Sequence, residues 1–74
     1  MTKILAEDVD FGQHIEYRQI HVRETYHGIV VGIEVHEDVP VNRITLTLWD
    51  WAGLDEVTMW EVAEVSLTPW RSAA

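Results

Sequence analysis

The amino-acid sequence predicts an all-β fold, a small antiparallel barrel of five strands that is partly open. From residue 13 onward valine, isoleucine, threonine and tryptophan dominate, and strands favour these residue types. Apolar residues also recur at every second position rather than at every third and fourth. Turn-forming residues interrupt the apolar runs around Pro40 and again at 52–55. Together these patterns predict short strands that are joined by compact turns.

The 74 residues are predicted to form a single domain over 1–74. Residues 1–12 are predicted to be a lead-in with room for one helical turn, because acidic and apolar residues alternate there before Gly12 interrupts the segment. The barrel is predicted over 13–70 and a frayed tail over 71–74. A chain this short buries only about 60% of its unfolded surface, so we expect it to be stabilised by forming a homo-oligomer or by binding a partner.

The first two strands are predicted over 13–22 and 26–36. In the first, the apolar residues change parity near Arg18, which predicts a bulge or a bend. Within the second, Gly28 and Gly32 predict either strand curvature or the close approach of another backbone. The residues of this strand predicted to face the core are Ile29, Val31, Ile33 and Val35.

The remaining strands follow at short intervals. A third strand is predicted over 43–51 and a hairpin loop over 52–55. The fourth strand then starts at Glu56, and a short turn near 62–64 leads to the last strand, which carries Val65 and Leu67.

The face opposite the aliphatic core is predicted to carry three of the four tryptophans. A loop over 52–55 sets a register that pairs Trp49 with Thr58 and Thr47 with Trp60. We call this predicted surface the Trp face, and its members are Trp49, Trp51, Trp60, Thr47 and Thr58.

Two interpretations of the Trp face remain open from the sequence. In the first, the lead-in folds over the tryptophans as a second small core, through Ile4, Leu5, Val9 and Phe11. In the second, the face stays open and binds a partner or another copy of the chain, because interfaces are enriched in tryptophan and a large uncovered apolar patch is unusual on a monomer. Direct stacking of a ligand on the aromatic rings is a third interpretation.

The acidic surplus bears on which partners the chain can bind. Thirteen acidic and five basic residues give a formal net charge of −8, which repels phosphate backbones and anionic membranes. Direct nucleic-acid binding is therefore disfavoured. An acidic surface either keeps a β-rich protein soluble or mimics the DNA backbone and occupies a basic groove of another protein. The acidic rim of the Trp face is predicted to contain Glu34, Glu37, Asp38 and Asp55.

The sequence predicts no catalytic residues, no metal site and no cofactor. It contains no cysteine, which excludes disulfides and thiolate ligands and favours the cytoplasm. The four histidines lack the spacing of metal ligands, and no glycine-rich phosphate loop or nucleophile motif is present. No apolar run is long enough to span a membrane, and the first residues do not resemble a signal peptide.

Four segments of the chain carry a resemblance to a known class. They are Ala-Glu-Asp-Val-Asp-Phe-Gly-Gln-His-Ile at 6–15, Gly-Ile-Val-Val-Gly-Ile at 28–33, Ile-Thr-Leu-Thr-Leu at 44–48 and Val-Ala-Glu-Val-Ser-Leu at 62–67. Their layout resembles small five-stranded barrels of the Src-homology-3 and Sm type, and in particular the short accessory proteins of tailed phages that infect actinobacteria. The resemblance covers about residues 6–70. It implies a fold and a phage context in the host cytoplasm, without any catalytic residue.

We therefore expect a non-enzymatic protein–protein interaction module that self-assembles and binds a partner through the Trp face and its acidic rim. One alternative is an oligomeric barrel that sequesters a small molecule or nucleotide in pockets that form at the subunit interfaces and are lined by tryptophan and histidine. Another is an acidic DNA mimic that inhibits a host protein.

Overall fold

The computed structural model describes residues 2–19 and 24–68. It confirms the predicted all-β class, because its strands form one antiparallel sheet in the order β1-β6-β2-β3-β4-β5. The end of the predicted first strand at 20–22, Trp70 and the predicted frayed tail at 71–74 lie outside the described residues. The elements are β1 (Thr2–Leu5), a 3-10 helix (Ala6–Asp8), β2 (His14–Arg18), β3 (Thr25–His36), β4 (Arg43–Asp50), β5 (Gly53–Trp60) and β6 (Glu64–Leu67).

The described residues contain six strands instead of the predicted five, and the additional strand lies in the lead-in. β1 pairs with β6 over its whole length, and the 3-10 helix supplies the single helical turn that was predicted. The backbone N–H of Ala6 donates to the carbonyl oxygen of Ala63 at 2.8 Å, and that of Glu7 donates to Glu61 at 3.0 Å. Ala6 and Val9 are buried in the main core. The lead-in is therefore an integral part of the sheet.

The sheet is strongly curled. β5 ends at Trp60 and β6 begins at Glu64, although four strand intervals separate these two strands in the sheet. In a flat sheet those intervals would span about 19 Å, whereas four extended residues reach at most about 14 Å. The connecting turn is also tied to the start of β4, since Glu61 N–H donates to the carbonyl oxygen of Asn42 at 2.9 Å. Curling encloses one core, whose most deeply buried side chains are Ile15, Val30, Leu46, Leu48 and Val65.

A β-bulge in β3 corrects the predicted core. Val30 lies opposite Leu48 and Gly32 opposite Thr47, so that Val31 has no partner in β4. Val30 is 1% exposed and Val31 is 49% exposed. The prediction that Val31 faces the core is therefore wrong, because one extra residue in a strand reverses the parity on one side of the bulge.

The same bulge separates the other predicted core residues of β3. Ile29 lies opposite Trp49 and so shares the outer face, which makes its predicted core position wrong as well. Ile33 lies opposite Leu46 and packs against the core, as predicted. Val35 lies opposite Ile44 on the same face but is 57% exposed, so its predicted core position is wrong.

Two glycines of β3 lie where β4 packs closely, and only at Gly28 is the near neighbour another backbone, as one of the two predicted explanations requires. A Cβ atom on Gly28 would lie 2.7 Å from the carbonyl oxygen of Trp49. At Gly32 it would lie 2.9 Å from the side chain of Thr47. Both glycines therefore allow β4 to pack closely against β3 where the sheet curls.

The β4–β5 hairpin is tighter than predicted. Its turn consists of Trp51 and Ala52, whereas a loop over 52–55 was predicted. The side chain of Asp50 accepts a hydrogen bond from the backbone N–H of Ala52 at 2.8 Å, and Gly53 has a φ of +129°. Aspartate at the first position and glycine at the fourth are typical of such a turn.

Among the described residues no helix is long and apolar enough to cross a membrane.

Candidate protein-interaction surface

The predicted tryptophan pairs are wrong, although the predicted faces are right. Trp49 lies opposite Leu54 rather than Thr58, and Trp60 lies opposite Arg43 rather than Thr47. The pairing moves by an even number of residues, and strand side chains alternate with a period of two. Trp49 and Trp60 consequently stay on the outer face of the curled sheet, opposite the core.

An apolar patch lies at the turn end of the β4–β5 hairpin. The rings of Trp49 and Trp51 meet edge to face, with centroids 5.0 Å apart and planes at 67°. Trp51 is 85% exposed and Leu54 is 64% exposed. We call Trp49, Trp51 and Leu54 the turn patch, and such an aromatic edge-to-face pair holds it in a defined shape.

Trp60 is well separated from the turn patch. It lies six residues beyond Leu54 on β5, which corresponds to about 20 Å along the strand. Its side chain is 45% exposed. Within one chain the Trp face is thus divided into two apolar areas at opposite ends of the hairpin.

Polar side chains occupy the outer face between these two areas. Thr45 lies opposite Thr58, and their hydroxyl oxygens are 2.8 Å apart. Thr45 also contacts Nε2 of His36 at 2.9 Å. Thr47 lies opposite Glu56 in the neighbouring pair. Thr47 and Thr58 were both predicted to be interface residues that pair with tryptophans. In the structure they lie in this polar strip instead.

The lead-in does not cover the tryptophans. β1 lies at the edge of the sheet beside β6, at the other end of the strand order from β5. Phe11, which was a candidate for the cover, is 65% exposed, and Trp51 and Trp60 remain open. Of the interpretations left open by the sequence, the structure contradicts the one in which residues 1–12 form a second core over the Trp face.

The four predicted rim acids lie in different surroundings. Glu34 lies on the outer face of β3, opposite Thr45, and Glu37 is exposed just after that strand. Asp38 accepts the Nε–H of Arg43 at 2.9 Å, which ties the loop to β4. Asp55 lies opposite the core residue Leu48, so it is on the other side of the sheet from the tryptophans. The structure therefore brings only part of the predicted rim onto the Trp face.

Other ionisable side chains form local pairs. His27 Nδ1 lies 3.9 Å from Asp50 Oδ2 at the base of the turn. The Tyr26 hydroxyl donates to Glu24 Oε2 at 3.3 Å, and the charge of this carboxylate raises the pKa of Tyr26. Within residues 2–19 and 24–68, no three histidine, aspartate or glutamate side chains form a metal-binding group. His21 lies outside these ranges.

A shallow groove of about 390 Å³ lies where β2 and β6 separate. Pairing of these strands ends at Glu16 and Ser66, beyond which β6 pairs with β1 alone. The groove contains two cationic and two anionic side chains and neither tryptophan nor histidine, and it lies within one chain, whereas the pockets expected for a sequestering barrel lie between subunits. Its lining consists of Lys3, Glu16, Tyr17, Arg18, Val62, Ala63, Glu64 and Ser66.

Comparisons of the chain with protein-family models, with curated proteins and with solved structures find no match. What the chain does is therefore inferred from the chemistry of its own surface.

Proposed function

We propose that the chain is a non-enzymatic protein–protein interaction module that assembles with itself and binds a partner protein through the Trp face. The observation that carries this proposal is the exposure of Leu54 and Trp60 on the outer face of one hairpin and of Trp51 in its turn, against Trp49. Exposed tryptophans of this kind are characteristic of interfaces, where a few central aromatic side chains supply most of the binding energy.

The fold that accompanies this proposal is a partly open barrel of the Src-homology-3 and Sm type. Two features support it. The order β6-β2-β3-β4-β5 places the last strand beside the first strand of the meander, and the short connection from Trp60 to Glu64 forces the sheet to curl. In this proposal β1 is an addition to the five-stranded barrel.

The resemblance in strand layout extends the proposal to a phage-type accessory protein that acts in the cytoplasm of its host. The absence of cysteine from the sequence is compatible with a reducing compartment. The partner is then a host or phage protein with an apolar surface that receives the turn patch.

Replacing the exposed Trp51 by alanine should weaken partner binding without unfolding the chain. We expect Trp51→Ala to weaken partner binding at least about tenfold, because an interfacial tryptophan often contributes more than about 2 kcal/mol. Phe11→Ala is the matched control, since Phe11 is also an exposed aromatic residue but lies outside the hairpin. Pull-down from an actinobacterial lysate, followed by titration of the isolated partner, measures the effect. Equal weakening by both variants would contradict a specific role for the hairpin.

Salt separates apolar binding from mimicry of DNA. We expect partner affinity to survive an increase from about 50 to about 500 mM salt, because screening suppresses long-range charge attraction and leaves apolar burial intact. Replacing Glu34, Glu37, Asp38 and Asp55 by their amides should likewise cost little affinity. Retention of the partner at low salt only, together with loss of binding in the amide variant, would instead identify an acidic mimic.

A further inference from the structure

β5 pairs with β4 on one side, and within the described residues no strand pairs with its other side. Asp50 and Gly53 flank a two-residue turn and so exchange the hydrogen bonds that close it. Hydrogen-bonded and non-bonded pairs alternate along an antiparallel ladder. Every second residue after Gly53 therefore directs its backbone N–H and C=O groups to the open edge. These residues are Leu54, Glu56, Thr58 and Trp60, and the carbonyl oxygen of Trp60 also accepts the N–H of Ala63 at 2.9 Å in the turn that follows β5.

Among the described residues, no strand pairs with the outward backbone groups of Leu54, Glu56 and Thr58, and such an edge is a template for another strand. Its side chains are suited to antiparallel pairing with a second copy of itself. If the twofold axis passes through Val57, Leu54 of one copy lies opposite Trp60 of the other, and Glu56 lies opposite Thr58. Two exposed apolar side chains then pack together on each side of the axis, and no acidic side chain lies directly opposite another.

The neighbouring registers are less favourable. Directly opposed residues of an antiparallel pair have their side chains on the same side of the sheet. The cores of both copies therefore lie on one side only if the twofold axis passes through a residue, which then lies opposite itself. An axis at Glu56 would place two carboxylates directly opposite each other. An axis at Thr58 would place each Glu56 opposite Trp60 of the partner subunit and leave Leu54 without a partner. The sequence of β5 therefore favours the axis at Val57.

We propose that two copies of the chain pair through their β5 edges, antiparallel and with the twofold axis at Val57. In this dimer three apolar side chains lie side by side on adjacent strands. Trp49 and Leu54 belong to one chain, and the third is Trp60 of the partner subunit. The two apolar areas that the hairpin separates in one chain are thereby joined into a continuous Trp face, present twice per dimer. The inference rests on the proposed function for self-assembly and specifies which surface performs it.

A single-cysteine series tests both the contact and its register, since the natural chain contains no cysteine. Val57→Cys should form a disulfide-linked dimer on mild oxidation, because directly opposed residues of a non-bonded pair have Cα atoms about 4.5 Å apart, within disulfide range. Glu56→Cys and Thr58→Cys test the two alternative registers. Preferential cross-linking of either one would overturn the register, and equal cross-linking of all three would indicate random collision.

Sedimentation of variants that remain folded tests the dimer independently. Glu56→Pro removes an N–H that points to the open edge, and it leaves the hydrogen bonds between β5 and β4 intact. The monomer should therefore fold, while dimerisation should weaken about a hundredfold or more. Glu56→Gln should strengthen dimerisation several-fold, because the two Glu56 carboxylates are diagonal neighbours across the axis. Glu37→Gln removes the same charge away from β5 and should have no such effect.

These outcomes distinguish the dimer from the proposed function. A wild-type chain that sediments as a monomer at high micromolar concentration would overturn the β5 dimer and the self-assembly part of the proposed function, whereas the partner-binding part would stand if Trp51→Ala still abolished partner binding. A dimer that survives Glu56→Pro would also overturn it and would point to the other edge strand, β1. If the β5 dimer forms but no protein is bound, the dimer stands and the partner-binding proposal fails.

Discussion

Replacing Leu46 by alanine should lower the free energy of unfolding by about 3–5 kcal/mol. The Leu46 side chain is fully buried at the centre of β4, where it lies opposite Ile33 on one side and Val57 on the other. Truncation leaves a cavity that β-sheet neighbours on both sides cannot fill. A domain of this size has a total stability of about 4–11 kcal/mol, so this loss removes at least about a quarter of it and, at the lower end of that range, unfolds the chain.

Urea denaturation monitored by circular dichroism measures this loss. Leu54→Ala is the matched control, because it removes the same atoms from an exposed position of the adjacent strand. It should change stability by less than about 0.5 kcal/mol at concentrations where the chain is monomeric. Similar losses in the two variants would contradict the assignment of Leu46 to the core.

Alternation of apolar residues was sufficient to predict the class and most of the strands. The apolar residues of β4 and β5 keep one parity, so Leu46, Leu48 and Met59 were assignable to the core face from spacing alone. β3 could not be assigned in this way. Ile29, Val30, Val31 and Ile33 are all apolar, and the bulge at Val31 is a matter of tertiary packing that the alternation of side chains does not reveal.

β1 was missed for a related reason. Residues 2–5 are too few to show an alternating pattern, and their strand conformation depends on pairing with β6, whose residues lie 59–65 positions further along the chain. Local propensity carries no information about such a partner.

The candidate site depended on a turn whose sequence signal was available. Asp50 and Gly53 stand at the positions that a two-residue turn favours, whereas the predicted loop over 52–55 has Gly53 as its second residue. The longer loop changes every residue pair of the hairpin but leaves each side chain on the same face of the sheet. The chemistry of the Trp face was therefore predictable, but the distance between its two apolar areas was not.

Substitution of Gly28 should affect the core and the turn patch together. We expect Gly28→Ala to destabilise the fold by about 2–4 kcal/mol, as the sum of overpacking and an unfavourable backbone conformation. The added Cβ would lie 2.7 Å from the carbonyl oxygen of Trp49 and 3.1 Å from Cβ of Leu48, and the φ of Gly28 is +153°. Backbone atoms cannot move aside as the end of a flexible side chain can, so β3 and β4 must separate next to the turn patch.

Substitutions at two further glycines separate the two causes of this destabilisation, the backbone conformation and the steric crowding. Gly12 has a φ of +84° with open space around it, so Gly12→Ala should show the backbone cost alone, about 1–2 kcal/mol. Gly32 is crowded by Cβ and Oγ1 of Thr47, each 2.9 Å from the added Cβ, and alanine at position 47 keeps the Cβ. Adding Thr47→Ala should therefore recover only the part of the loss in Gly32→Ala that Oγ1 causes. No second substitution should rescue Gly28→Ala in this way, and its loss should be accompanied by a changed fluorescence of the Trp49–Trp51 pair. Full stability with unchanged fluorescence would mean that β3 and β4 are not in close contact at Gly28.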